Sequence, residues 1–208
     1  MNYRFLLIFV ILLPFMLSAQ EIIWQQEYDA WLNGELTCAY SGGFHFGKPA
    51  LVDIDNDMDL DLFVGEREGG VDFYRNVGTV FKARWQLEIR DVFSGRHSYW
   101  SPAFCDIDND GDQDAFIGCW AGTIAFFQND GTATSPIWNL ITNQFEQIDV
   151  GYHSTPVFCD LDKDNDFDLT IGSSDSIIIY ENTGNANQYQ FTRSSAISDE
   201  YSRHFIRY

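Results

Sequence analysis

The sequence predicts an all-β fold assembled from repeated four-stranded sheets, and three observations lead to this expectation. A run with Asp at every second position occurs three times, beginning at Asp53, Asp106 and Asp160. Each run is followed by a short apolar segment that ends in Gly, and then by a turn of the form Asn-x-Gly. The apolar segments are rich in β-branched and aromatic residues, and no stretch after the N-terminus keeps the apolar period of a helix.

The N-terminal residues 1–19 have the pattern of a secretory signal peptide. Arg4 precedes an apolar run from Phe5 to Leu17, and the small residues Ser18 and Ala19 close it. The run is shorter than the roughly 20 residues that a membrane span needs, although an uncleaved anchor is the alternative. We therefore expect a mature chain of residues 20–208 without a transmembrane span. It would be secreted or held at the cell surface, with the periplasm as a further option.

The repeat has a constant step along the mature chain. Trp31, Trp85, Trp138 and Phe191 lie 54, 53 and 53 residues apart. This step divides the chain into units of about 31–84, 85–137 and 138–190, with a partial unit at 191–208.

Each unit has room for four short strands. In the second unit these are Ala103 to Cys105, Ala115 to Ile117, Thr123 to Phe127, and a strand near Trp138. Four strands in roughly 50 residues are typical of a β-propeller blade. A β-sandwich has a similar number of strands but no reason to repeat its loops in register.

About three and a half blades are predicted, which is an incomplete ring. Each blade needs neighbours to bury its two faces. We therefore expect further blades from a longer chain or from a partner chain.

The acidic runs are predicted to be calcium-binding loops. Ca²⁺ takes six to eight oxygen ligands, and closely spaced carboxylates supply them. Carboxylates at loop positions 1, 3, 5 and 9 can turn onto one ion, and position 7 would contribute its backbone carbonyl. Up to three Ca²⁺ ions are expected, and Mg²⁺ fits less well because it dehydrates reluctantly. The candidate ligands are Asp53, Asp55, Asp57, Asp59, Asp61, Asp106, Asp108, Asp110, Asp112, Asp114, Asp160, Asp162, Asp164, Asp166 and Asp168.

The three loops are not equivalent at position 6, where the backbone is expected to have a positive φ. Gly111 adopts that conformation freely and Asn165 tolerates it, whereas Met58 does not. The first loop is therefore predicted to bind calcium most weakly. The calcium ions are expected to be structural, so that binding and folding are coupled.

The residues around these loops resemble a known family. The segments Pro49-Ala-Leu-Val-Asp, Pro102-Ala-Phe-Cys-Asp and Pro156-Val-Phe-Cys-Asp, each continuing into an acidic run, resemble the FG-GAP/VCBS repeat. That repeat builds the calcium-binding propeller of the integrin α-chain head and of many secreted bacterial proteins. The resemblance implies the propeller fold and the calcium loops, but it does not fix the function.

A few residues outside the loops are candidates for a binding surface. Tyr99 and Trp100 depart from the repeat pattern, and they could stack on sugars if exposed. One His occurs in each unit, at His45, His97, His153 and His204. These could form a ligand ring, but a repeated packing or hydrogen-bonding role is the preferred interpretation.

The net charge and the absence of known catalytic motifs argue against several classes of function. The net charge is −19, which argues against nucleic-acid binding and against docking onto anionic lipid. No nucleophile elbow, zinc helix or phosphate-binding Gly loop is present, so the sequence gives no basis for enzymatic activity. We expect a secreted or cell-surface calcium-binding propeller module that binds protein or carbohydrate in adhesion. The alternative is a catalytic or non-catalytic portion of a polysaccharide-degrading enzyme.

Overall fold

The computed structural model describes residues 29–32, 35–38, 46–67, 70–94 and 99–198. The chain divides into two compact units, Met1–Gly43 and Phe44–Tyr208. In the first unit, β1 (Asp29–Leu32) and β2 (Glu35–Cys38) form an antiparallel hairpin. The predicted signal peptide lies outside the described residues. None of the helical structure within those ranges is long and apolar enough to cross a membrane.

The second unit contains three antiparallel sheets of four strands each, which we call blades 1, 2 and 3. Within each blade every strand pairs with the next strand along the chain, and all pairs are antiparallel. Blade 1 is β3 (Lys48–Val52), β4 (Asp61–Gly65), β5 (Val71–Asn76) and β6 (Trp85–Ile89); blade 2 is β7 (Ser101–Cys105), β8 (Asp114–Gly118), β9 (Ile124–Asn129) and β10 (Trp138–Thr142); blade 3 is β11 (Thr155–Cys159), β12 (Asp168–Gly172), β13 (Ser176–Asn182) and β14 (Phe191–Ser198).

The blades are arranged with their first strands side by side. Strand β7 contacts both β3 and β11, whereas the fourth strands β6 and β10 are largely exposed. A 3₁₀ turn, Phe145–Gln147, follows β10. No closed ring exists among the described residues. The predicted all-β incomplete propeller of four-stranded blades is therefore confirmed.

Two apolar layers hold the blades together, one at each junction between consecutive blades. Between blades 1 and 2, Phe63 and Phe73 stack at 4.5 Å and Phe63 meets Phe104 of blade 2. Between blades 2 and 3, the fully buried Phe116 packs on Phe126 and on Phe158. Blade 2 is covered on both faces, so all five residues of β8 are buried. Truncating a core aromatic of this kind costs about 3–5 kcal/mol.

The Gly that ends the second strand lets consecutive blades approach closely. A Cβ added at Gly65 would lie 2.2 Å from the carbonyl oxygen of Trp100, and one at Gly118 would lie 2.3 Å from that of Ser154. These oxygens belong to the segments that lead into the next blade. At Gly172, the nearest described atom to such a Cβ is in Thr155, at 3.8 Å. The close approach therefore recurs at the two described blade junctions.

The structure contradicts one binding-surface candidate. Trp100 is buried in the layer between blades 1 and 2, and it is one of the largest fully buried side chains described. An indole in that position stabilises the blade junction and cannot stack on a ligand. Tyr99, by contrast, is only partly buried.

Candidate metal centres

Each acidic loop connects the first strand of a blade to the second, and the first Asp organises it. In loop 1, which spans positions 53–61, the carboxylate of Asp53 accepts hydrogen bonds from the backbone amides of Asp57 and Met58, at 3.1 and 3.0 Å. In loop 2, which spans positions 106–114, the carboxylate of Asp106 accepts the equivalent bonds from the backbone amides of Asp110 and Gly111, at 3.0 and 3.1 Å.

Loop 3, which spans positions 160–168, repeats this arrangement. Its first carboxylate, of Asp160, accepts hydrogen bonds from the amides of Asp164 and Asn165, both at 3.2 Å. A third bond comes from the amide of Lys163, at 2.7 Å. The three loops are thus built alike, although their sequences differ at positions 4 and 6.

The predicted positive φ at position 6 is present in all three loops. The φ angles are 75° at Met58, 97° at Gly111 and 72° at Asn165. Met58 is the residue for which this conformation is most strained, because it is neither Gly nor Asn. The backbone therefore supports the reason given for weak calcium binding in loop 1, which is the positive φ at Met58.

Position 4 also has a positive φ, which was not among the features predicted from the sequence. Asn56, Asn109 and Lys163 have φ angles of 57°, 59° and 71°. The two Asn residues are a usable signal, since Asn is enriched in the left-handed region. Lys163 carries no such signal, and it adds strain to the third loop.

Three carboxylates converge in each loop. One oxygen from each of Asp53, Asp55 and Asp57 lies within 4.8 Å of the others, and the same holds for the equivalent residues of loop 2, Asp106, Asp108 and Asp110. In loop 3 the converging set is Asp160, Asp162 and Asp168. Positions 1 and 3 therefore meet in every loop. Position 5 joins them in loops 1 and 2, and position 9 only in loop 3.

Positions 7 and 9 are the buried acids of the loops. At position 9, an oxygen of Asp61, Asp114 or Asp168 accepts a hydrogen bond from the backbone amide of the Asn that ends the third strand, at 2.7, 2.8 and 2.9 Å. At position 7, each of the three loops has one carboxylate oxygen without a hydrogen-bond partner. These unpartnered oxygens belong to Asp59, Asp112 and Asp166.

Further buried oxygens are unpartnered in loops 1 and 2. They are the second oxygens of Asp61 and Asp114 and one oxygen each of Asp55 and Asp108. A buried charged oxygen without a partner is costly, and several in one loop are rare in folded proteins. All of them are hard oxygen donors, so the residues present fit a hard divalent cation such as Ca²⁺. The prediction that position 7 uses its backbone carbonyl stays a prediction.

Burial raises the pKa values of several of these acids. Desolvation, followed by the neighbouring carboxylates in loop 2, raises the pKa of Asp112 to about 6, and desolvation raises that of Asp114 to about 7. The pKa of Asp61 and that of Asp166 are each raised to about 6, again mainly by desolvation. Without a cation, the folded loops thus retain protons that an unfolded chain would release. A bound cation would lower the pKa values of these carboxyl groups, because it stabilises their charged form.

The third strand of each blade carries a residue, next to its final Asn, whose charge differs between the three blades. Its contact with the acidic loop was not predicted from the sequence. The guanidinium of Arg75 forms an ion pair with the position-3 carboxylate of Asp55. At the equivalent place in blade 2, the neutral amide of Gln128 donates to Asp108 at 3.1 Å. In blade 3 the equivalent residue is the exposed acid Glu181. The only signal was the spacing of 53 residues between these positions, with charge changing from blade to blade.

The repeated Asn closes the hairpin from the third to the fourth strand. The side-chain oxygen of Asn129 accepts hydrogen bonds from the amides of Gly131 and Ile137, at 3.0 and 2.9 Å. Asn76 and Asn182 make the equivalent bonds in the other blades. The same residue also donates its backbone amide to position 9, so the hairpin fixes one corner of each acidic loop.

These features define a class of protein: an incomplete β-propeller in which every described blade carries an acidic loop between its first and second strands. Residues 53–117, which include the first two loops, match the FG-GAP-like repeat family. The predicted resemblance to the FG-GAP-like repeat is therefore confirmed over these residues. No curated protein and no solved structure matches the chain significantly.

The aromatic and His candidates have different outcomes. Tyr99 and His153 lie together at the end of the blades opposite the acidic loops, with their rings 5.0 Å apart. His153 takes the place that Phe46 and Tyr99 take in blades 1 and 2, three residues before the Pro of the first strand. His45, His97 and His204 lie outside the described residues. A ring of four His ligands stays a hypothesis.

Proposed function

We propose that this chain is a calcium-stabilised propeller module that binds up to three Ca²⁺ ions, one in each acidic loop. The observation that carries the proposal is the buried, unpartnered carboxylate oxygen at position 7 of all three loops, to which loops 1 and 2 add unpartnered oxygens at positions 3 and 9. Five carboxylates in nine residues repel one another, and a cation with six to eight oxygen ligands satisfies them. Positions 1 and 3 hold the ion in every loop, joined by position 5 or 9.

The role of the ion follows from the position of the loop. Each loop joins the first and second strands of a blade, and its last Asp is tied to the end of the third strand. A bound ion therefore fixes three of the four strands relative to one another. An ion that binds only the folded state stabilises it by about 2.7 kcal/mol at a concentration 100 times the dissociation constant.

We further propose that the module acts outside the cell, secreted or at the cell surface, in binding a protein or a carbohydrate. FG-GAP-like repeats are typical of extracellular proteins, where calcium is abundant. A propeller supports many functions, so the ligand must be argued from surface residues.

Calcium titration tests the first proposal. Thermal unfolding in excess CaCl₂ should occur at a higher temperature than in EGTA, and calorimetry should show up to three sites. Asp108→Asn removes one converging carboxylate and should weaken or abolish one site. Asp130→Asn, in the exposed hairpin turn of the same blade, is the matched control and should leave all sites intact. An unfolding temperature unaffected by EGTA would refute calcium stabilisation.

A further inference from the structure

The residue at position 2 of each acidic loop is apolar, and its burial depends on whether another blade follows. Ile54 in loop 1 is 2% exposed and belongs to the apolar layer between blades 1 and 2. Ile107 in loop 2 is 3% exposed and belongs to the layer between blades 2 and 3. The equivalent Leu161 of loop 3 is 49% exposed, and within the described residues no blade follows blade 3. The next blade therefore covers position 2 of the loop before it.

Position 2 lies between two of the acids that are expected to bind calcium. In loop 2, Ile107 separates Asp106 from Asp108, and one carboxylate oxygen of each of these acids belongs to the converging set. Because a single residue joins the two acids, its side chain cannot leave the layer without moving the backbone of both. An ion held at positions 1 and 3 therefore restrains Ile107, and the packing of Ile107 restrains the two acids in turn.

The hairpin between β13 and β14 of blade 3 also contacts loop 2. The side-chain nitrogen of Asn109, at position 4 of the loop, donates to the side-chain oxygen of Asn187 at 3.0 Å. Tyr189 of the same hairpin is partly buried and packs against the layer that contains Ile107. Blade 3 thus holds loop 2 at position 4 as well as at position 2.

The acid at position 9 has different partners in loops 2 and 3. In loop 3, the backbone amide of the exposed Leu161 donates to one oxygen of Asp168 at 2.8 Å. In loop 2, where Ile107 is buried in the layer, the equivalent oxygen of Asp114 is buried and has no hydrogen-bond partner. Burial of position 2 therefore accompanies a carboxylate oxygen that is available to a cation, and leaving that oxygen unpartnered is costly.

We propose that calcium binding in loop 2 and the docking of blade 3 onto blade 2 are coupled, with Ile107 and Asn187 as the positioning residues that connect them. Each event favours the other, because the ion and the neighbouring blade hold the same loop in the same conformation. The inference rests on the proposed calcium function and adds a regulation to it. Calcium controls the junction between two blades and not only the strands within one blade.

Calcium affinity separates this coupling from a purely structural role. If Ile107 and Asn187 only stabilised the fold, their replacement would lower the unfolding temperature and leave the calcium affinity of the folded protein unchanged. Coupling requires that both quantities change. It also requires that each replacement destabilise the protein more in CaCl₂ than in EGTA, because coupling is reciprocal.

Calorimetric calcium titration of the full chain tests the proposal. Loop 2 is measured alone in an Asp55→Asn/Asp162→Asn background, in which loops 1 and 3 each lack one converging carboxylate. Ile107→Ala in that background should weaken calcium binding at least about fivefold, the lower end of usual coupling factors, and Ile107→Val should restore most of the affinity. Asn187→Ala should weaken binding roughly two- to tenfold, as expected for one hydrogen bond.

The matched control is the equivalent residue of loop 3. Leu161→Ala, in an Asp55→Asn/Asp108→Asn background that leaves loop 3 with its full converging set, should change calcium affinity less than twofold. An effect as large as that of Ile107→Ala would show that position 2 acts within its own blade, and the coupling between blades would be wrong.

Asn187→Ala decides the proposal if Ile107→Ala fails to fold, because it removes only an exposed side chain of blade 3. Calcium binding within twofold of the background in Asn187→Ala would overturn the coupling, whatever the result for Ile107→Ala. If the unmodified chain binds calcium and only this variant result is negative, the coupling fails and the calcium proposal stands. If the unmodified chain binds no calcium, both proposals fail.

Discussion

Replacing Arg75 by Gln should tighten calcium binding in loop 1. Arg75 forms an ion pair with Asp55, one of the three converging carboxylates of this loop. A calcium ion would have to share that carboxylate with a guanidinium, and like charges repel. Loop 2 has Gln128 in the same place, so the substitution gives loop 1 the arrangement of loop 2.

The size of the effect can be estimated from Coulomb's law. Two cations held by one carboxylate are roughly 5 Å apart, so a divalent and a monovalent charge repel by about 1.7 kcal/mol in water-like dielectric. That energy corresponds to about a 15-fold change in the dissociation constant. A lower effective dielectric at the partly buried Asp55 would increase the effect, and salt would decrease it.

Calorimetric titration of the calcium-free protein in low salt provides the assay. The weakest of the sites should tighten by about tenfold or more in Arg75→Gln, with the other sites unchanged. Arg84→Gln serves as the control, since Arg84 in the same blade donates to the carbonyl oxygen of Val77 and lies in the hairpin turn. If all sites in Arg75→Gln stay within twofold of the wild type, the ion pair does not limit loop 1 and the reasoning is wrong.

Three further predictions concern strain, protonation and blade packing. Met58→Gly should tighten the weakest calcium site and raise the unfolding temperature, because Gly relieves a φ of 75° worth about 1 kcal/mol; an unchanged calcium isotherm would contradict this. In EGTA, the free energy of unfolding should fall as pH rises from about 4 to 8. The raised pKa of Asp114, about 7, means that the folded state binds more protons than the unfolded state in that window. Calcium should flatten this slope, and equal slopes with and without calcium in chemical denaturation would refute the assignment. Gly118→Ala should destabilise the protein by several kcal/mol because its Cβ would lie 2.3 Å from the carbonyl oxygen of Ser154. Gly172→Ala, with its nearest described neighbour at 3.8 Å, should be tolerated in thermal melts, and equal losses in both variants would contradict the blade-contact explanation.

The periodic features of the sequence determined the repeat, the strands and the acidic loops. The local signals are the Asp at every second position, the Gly at a fixed distance and the Asn-x-Gly turn. The loops they predict are formed by hydrogen bonds between residues that are close in the sequence. The carboxylate of Asp106, for example, binds amides only four and five residues away. For the same reason the positive φ at Met58 could be predicted from its place in the loop.

The burial of individual aromatic side chains and the charge around each loop depend on contacts between segments that are distant in the sequence. The sequence alone does not show which side chains meet in these contacts. Trp100 and Tyr99 are adjacent in the chain, yet Trp100 is buried in a blade junction, whereas Tyr99 is only partly buried and its ring lies 4.9 Å from that of Trp120. Arg75 reaches Asp55 from 20 residues away, which makes loop 1 electrostatically different from loop 2. Which ring faces solvent and which carboxylate shares a cation depend on the stacking of the blades, so only the tertiary structure shows them.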